Sequence, residues 1–92
     1  MVIGIKLWGQ LRNLAGQERL DVEVQAGSSI EDVVKNLATV SNEKLSAILL
    51  NEDGTCRHST LVFVNDQQIS WDEPQLVNEG ASITLMSPIA GG

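Results

Sequence analysis

Ala81-Ser82-Ile83-Thr84-Leu85-Met86-Ser87-Pro88-Ile89-Ala90-Gly91-Gly92 closes the chain, and the rest of the sequence is read outward from it. Ile83 and Leu85 alternate with polar neighbours, the period-two pattern of a strand with one buried face. Pro88 has a fixed φ and no N–H, so it cannot keep donating to a sheet ladder and marks where the strand releases the chain. The two glycines carry no Cβ, which makes the end a thread thin enough for a channel that excludes side chains. A domain over residues 1–86 and a flexible tail over 87–92 are therefore expected. The terminal carboxylate is the group such a tail can deliver. Its ordinary pKa of about 3.3–3.7 leaves it ionised at neutral pH, an oxygen nucleophile that a nucleotide-using partner could join to the α-phosphate of ATP.

The strand needs neighbours, and the sequence supplies them. Val2 to Trp8 alternates with Ile3, Ile5 and Leu7 on one side and Gly4, Lys6 and Trp8 on the other, a half-buried first strand. After a polar, glycine-bearing link from Gly9 to Arg19, alternation resumes over Leu20–Gln25 with Leu20, Val22 and Val24 inward, so the two strands form an antiparallel hairpin. Leu11 and Leu14 in the link are positioned to fold back over the hairpin's end.

Ser28, with Glu31 three residues on, has the form of a capping box, which predicts a helix starting there. Ile30, Val33, Val34, Leu37 and Ala38 then recur at helical spacing on one face, with Glu31, Asp32, Lys35 and Asn36 on the other. Ser41 to Leu50 reads either as a short helix capped by Ser41 or Asn42, or as a loop with buried leucines. Asn51-Glu52-Asp53-Gly54 is a turn cluster, Leu61-Val62-Phe63-Val64 a continuous run expected as a central strand, Asn65-Asp66 a turn, and Gln68–Trp71 a short edge strand. Strand, strand, helix, strand, short strand, strand makes an α+β domain: a mixed four- to five-stranded sheet with one main helix on one face. That is the β-grasp, or ubiquitin-like, pattern, in which the first and last strands lie side by side at the centre.

Composition narrows the chemistry. Ninety-two residues with 42% hydrophobic and 20% charged suit one folded domain with a modest core. No apolar run approaches the ~20 residues that span a bilayer, and no basic-then-apolar leader opens the chain, so a cytoplasmic protein is expected. Twelve acidic against six basic residues give a net charge of −6, which repels phosphate backbones and anionic lipid. Neither nucleic acid nor membrane is expected as a partner, whereas a protein with a basic docking surface suits this charge.

A single cysteine, Cys56, precludes an internal disulfide and thiolate-built metal sites. Its neighbours Arg57 and His58 would favour a thiolate, but a glycine-led loop is also a common place for an incidental cysteine. His58 has no carboxylate or second histidine nearby in sequence, so no metal site or triad is expected. Asp72 and Glu73, adjacent in an extended segment, point to opposite faces and read as a solvated turn. Trp8 lies on the side of its strand away from Ile3, Ile5 and Leu7. If exposed, it forms with neighbours such as Met86 an apolar patch for a partner; burial under a loop is the alternative.

With the strand order and the glycine pair in hand, the chain resembles the MoaD/ThiS family of ubiquitin-like sulfur carriers, MoaD-type members most closely. Lys6 to Gly16 is similar to the family's first strand and loop, with its Arg-x-Leu-x-Gly run. Val64-Asn65, the Asn78-Glu79-Gly80 turn and above all the closing Pro88-Ile89-Ala90-Gly91-Gly92 are similar too. The resemblance implies that an adenylyltransferase like the ubiquitin-activating enzymes (MoaB/MoeB/ThiF-like) adenylates Gly92 with ATP and magnesium, and that sulfur replaces the adenylate to leave a thiocarboxylate. It also implies that Pro88, Ile89, Ala90 and Gly91 enter partner active sites, foremost that of the molybdopterin synthase large subunit (MoaE-like) in molybdenum cofactor biosynthesis. The chain itself then has no catalytic residues and binds no cofactor, ATP and magnesium belonging to the partner. Ser41 to Thr60 is longer than in compact MoaD proteins and resembles carriers for cysteine synthesis or archaeal-type relatives. Thiamine synthesis, tRNA thiolation, or an interaction or conjugation module are further possibilities.

Overall fold

The computed structural model describes residues 1–73 and 75–87. Its centre is a parallel pair, β1 (Val2–Trp8) beside β5 (Ser82–Met86), registered Gly4 to Ser82, Lys6 to Thr84 and Trp8 to Met86. β2 (Arg19–Glu23) returns antiparallel along β1, pairing Ile5 with Leu20 and Lys6 with Arg19. On the far side β3 (Leu61–Val64) runs antiparallel to β5, and β4 (Gln67–Ile69) closes the edge, giving the order β2-β1-β5-β3-β4. Asn65 and Asp66 connect β3 to β4 with φ of 52° and 68°. Two consecutive left-handed residues match the twist of the flanking strands, and Asn and Asp tolerate that conformation best after glycine. Asn65 also accepts the Ser82 N–H through Oδ1 at 3.0 Å, tying the hairpin to β5.

One face of this sheet is covered. Ile3, Ile5, Leu7, Val22, Val62, Ile83 and Leu85 are buried in a single core with Val33, Val34 and Leu37 of α2 (Ile30–Val40). Every apolar position expected on that helix is buried, because residues three and four apart share one face. The cap lies one residue later than the sequence suggests. Ser29, not Ser28, accepts the Asp32 N–H at 3.1 Å, and Asp32 accepts the Ser29 N–H at 3.1 Å. Ser28 is committed elsewhere: its hydroxyl and its N–H both donate to the Gln25 carbonyl, at 2.6 and 3.1 Å, and its carbonyl accepts the Val77 N–H at 2.8 Å. The strap around Val77 thus sets where the helix begins.

Among the described residues the expected main helix, α2, is accompanied by two short ones. Ser41–Leu50 resolves into α3 (Glu43–Leu49), capped by Asn42, whose Oδ1 accepts the Leu45 N–H at 2.9 Å. The other end of that amide donates to the Leu14 carbonyl at 2.9 Å, joining α3 to a helix the sequence did not reveal, α1 (Gln10–Ala15). Gly16 ends α1 at φ 74°, with its N–H on the Arg12 carbonyl at 2.9 Å, a left-handed stop that favours glycine. Only Leu11 of α1 is buried. None of the helices is long and apolar enough to cross a membrane among the described residues.

β3 lies inside the sheet between β5 and β4, as a central strand should, but its two faces differ in burial. Only Val62 is buried; Leu61 and Phe63 lie half-buried on the opposite face. Trp71 falls outside β4, where its indole N–H donates to the Thr60 carbonyl at 2.8 Å and its ring stacks on His58, centroids 5.3 Å apart. Cys56 is not a surface thiol. It is 3% exposed, bridged to Leu50 and donating to the Glu31 carbonyl at 3.6 Å. Burial first, and the Glu31 charge second, push its pKa up to about 11.

Two outcomes follow from these contacts. Ser29→Ala should destabilise the fold by about 1 kcal/mol in urea unfolding, and Ser28→Ala by less, since only Ser29 caps α2. Cys56 should resist alkylation in the native protein and react once the chain is unfolded. Because its folded pKa lies above the unfolded value, the unfolded state loses its proton first. Stability should be unaffected by this group below about pH 9 and should fall as pH rises towards 11. A Cys56→Ala variant melted across the same range should lack that component.

Candidate functional site: the root of the tail and the open sheet face

β5 is held from both sides, by β1 and by β3, so the point where it ends is among the best-braced in the sheet. Ile83 and Leu85 are fully buried there, alternating with Thr84 and Met86 on the other face. The described chain continues to Ser87. Pro88, Ile89, Ala90, Gly91 and Gly92, the residues expected to enter a partner, lie outside the described residues.

The face away from the helices is the surface beside this root. Pairing register sorts it into rows, since residues opposite one another point to the same side. Trp8, Met86 and Leu61 form one row across β1, β5 and β3. Neighbouring strands lie about 4.8 Å apart, so the row spans about 10 Å. Lys6, Thr84, Phe63 and Gln68 form the next row back. Trp8 is 52% exposed, which decides between the two readings of it: the ring is not covered by a loop. Met86 stands beside it, half-buried.

Leu61 and Phe63 extend this patch and were missed from sequence, where an unbroken apolar run reads as buried on both sides. Knowing that no helix covers the second face is what separates them from Val62. Three apolar side chains and a tryptophan thus share one open face beside the end of β5.

The other polar candidates do not converge. His58 stacks on Trp71 in an exposed position, and Asp72 and Glu73 are solvent-exposed, with the Asp72 N–H donating to Ser70 Oγ at 3.1 Å. Among the described residues no group of three or more His, Cys, Asp or Glu is placed to hold a metal ion.

Comparison with known proteins agrees with this geometry. No curated protein matches the chain. Among solved structures, SAMP1 from Haloferax volcanii superposes with a TM-score of 0.84 at 22% identity, covering all of both chains. A putative molybdopterin converting factor subunit 1 from Pyrococcus furiosus gives 0.73 at 21% identity over 97% of this chain and 99% of that one. A chain of the BexX/CysO complex from Amycolatopsis orientalis gives 0.72 at 19% identity over 98% and 99%. These likenesses establish the β-grasp fold. The model of the ThiS family matches residues 5–92, from the first strand through both terminal glycines. The chain belongs to the ThiS family of ubiquitin-like sulfur carriers and modifiers.

Proposed function

We propose that this protein carries sulfur on Gly92 as a thiocarboxylate. The observation that carries the reading is the family match running through residue 92, joined to a strand whose end is braced on both sides. A braced root fixes where the chain leaves the domain, and residues without side chains can follow a narrow channel to a distant active site. A partner adenylyltransferase supplies ATP and magnesium. The Gly92 carboxylate attacks the α-phosphate and pyrophosphate leaves; a hydrosulfide equivalent from a sulfur donor then attacks the acyl carbon and AMP leaves. The product is a thiocarboxylate, a softer and stronger nucleophile than the carboxylate it replaces. The domain's own part is positioning: the open face docks through Trp8 and Met86, and the tail reaches the chemistry.

For the acceptor, the first choice is the molybdopterin synthase large subunit, with this chain as the small, sulfur-donating subunit. The closing Pro-x-Ala-Gly-Gly of the MoaD type supports it. A second acceptor, a cysteine-synthesis enzyme or a protein lysine, is favoured by the segment after α2, which holds a helix, α3, and the pairing of Cys56 with Leu50, and resembles in its length the carriers for cysteine synthesis.

The test is intact mass after incubation with ATP, sulfide and the host's adenylating enzyme. The chain should gain the difference between sulfur and oxygen, and a variant lacking Gly92 should gain nothing. No gain, with the enzyme active on another carrier, overturns the reading. In the same assay Trp8→Ala should raise the KM for the carrier about tenfold, with kcat retained once saturated, because an aromatic anchor contributes to docking and not to the acyl chemistry.

A further inference from the structure

The chain is acidic overall, with a net charge of −6, yet the open sheet face beside the tail root is not. Lys6 and Arg19 are directly paired across β1 and β2 and point to that face, so two of the six basic residues sit side by side on it. Like charges directly opposite one another on neighbouring strands are unfavourable for the sheet itself, so the fold gains nothing from this pairing. Gly4 adds to the arrangement. The Arg19 guanidinium lies over Gly4, in the space that a Cβ there would take.

Of the carboxylates on the same face, Asp21 stands mid-strand against Gly4, next to Arg19, and Glu23 ends β2 against Val2, so both lie farther from Trp8 and Met86 than Lys6 does. Asp21 lies 3.5 Å from Arg19 Nε in an exposed pair, which solvent weakens. Lys6 has no carboxylate within ion-pair distance among the described residues. It stands one row from Trp8 and Met86, between Arg19 and Thr84. A partner whose footprint surrounds the tail root therefore meets an apolar row and, just behind it, a cation.

We propose that the enzyme that activates Gly92 docks on this face with an acidic surface, setting carboxylate groups against Lys6 and Arg19 while an apolar hollow takes Trp8. This rests on the carrier reading above and assigns the partner's local charge, which is opposite to what the chain's net charge alone suggests. The overall charge acts at long range and is screened within about 10 Å at ordinary salt. At contact, the side chains facing the partner decide complementarity.

The test is calorimetric binding of the full chain to the host's adenylating enzyme at low and raised salt, with turnover followed as pyrophosphate release. Lys6→Glu should weaken binding about tenfold or more, and Arg19→Gln less, since a reversed charge is repelled whereas a neutral one is only unpaired. Lys35→Glu, on α2 and away from the face, makes the same change in net charge and should stay within about twofold of the parent. Raised salt should weaken the parent more than Lys6→Glu. Thermal melts matching the parent exclude misfolding.

Parent-like binding by Lys6→Glu, equal losses in Lys6→Glu and Lys35→Glu, or no binding by the parent chain would each overturn the proposal. The carrier reading is tested separately by the chain lacking Gly92, which should still bind the enzyme but release no pyrophosphate. Retained turnover there removes the carrier reading whatever Lys6 does.

Discussion

The parallel pairing of β1 with β5 is the constraint on which the rest of the structure depends. Two strands paired in parallel cannot be joined by a tight turn, so the chain between Trp8 and Ser82 has to travel back to the end of the pair where it began. The chain makes that return through three helices and three further strands, and α2 is the piece that lands on the sheet. Ile5, Leu7, Ile83 and Leu85 are fully buried along the pair, which fixes its register: a slip of either strand by one residue would turn its two to the other face.

That pairing also separates the two faces by purpose. The helix side is sealed by aliphatic packing. The other side keeps a tryptophan half in solvent, with Met86, Leu61 and Phe63 around it. A fold that only had to be stable would gain by covering these groups. Leaving them beside the end of a central strand puts an apolar row and the Lys6 cation within a few residue spacings of Ser87.

The small corrections to the sequence reading share a cause. α1 escaped notice because six residues with one buried side chain show no period; its reason for existing is Leu11 against the core and Leu14 beneath the Asn42 amide. The capping box moved from Ser28 to Ser29 because two overlapping Ser-x-x-acid patterns are equivalent until the strap at Val77 takes the Ser28 carbonyl. Cys56 looked like a loop residue among polar neighbours, and its bridge to Leu50 turns it inward against α2.

What the sequence determined by itself was whatever is local along the chain: the alternation of β1 and β5, the apolar stripe of α2 and the Asn65-Asp66 turn. Those are local, since backbone geometry imposes periods of two and 3.6 on any residue that must reach a core. The tertiary structure alone decided which second faces stay open. Leu61 and Phe63 differ from Val62, and Trp8 from Leu7, only in what lies above them. Whether a helix covers a strand's far side is settled by segments distant in the chain, which no local pattern encodes.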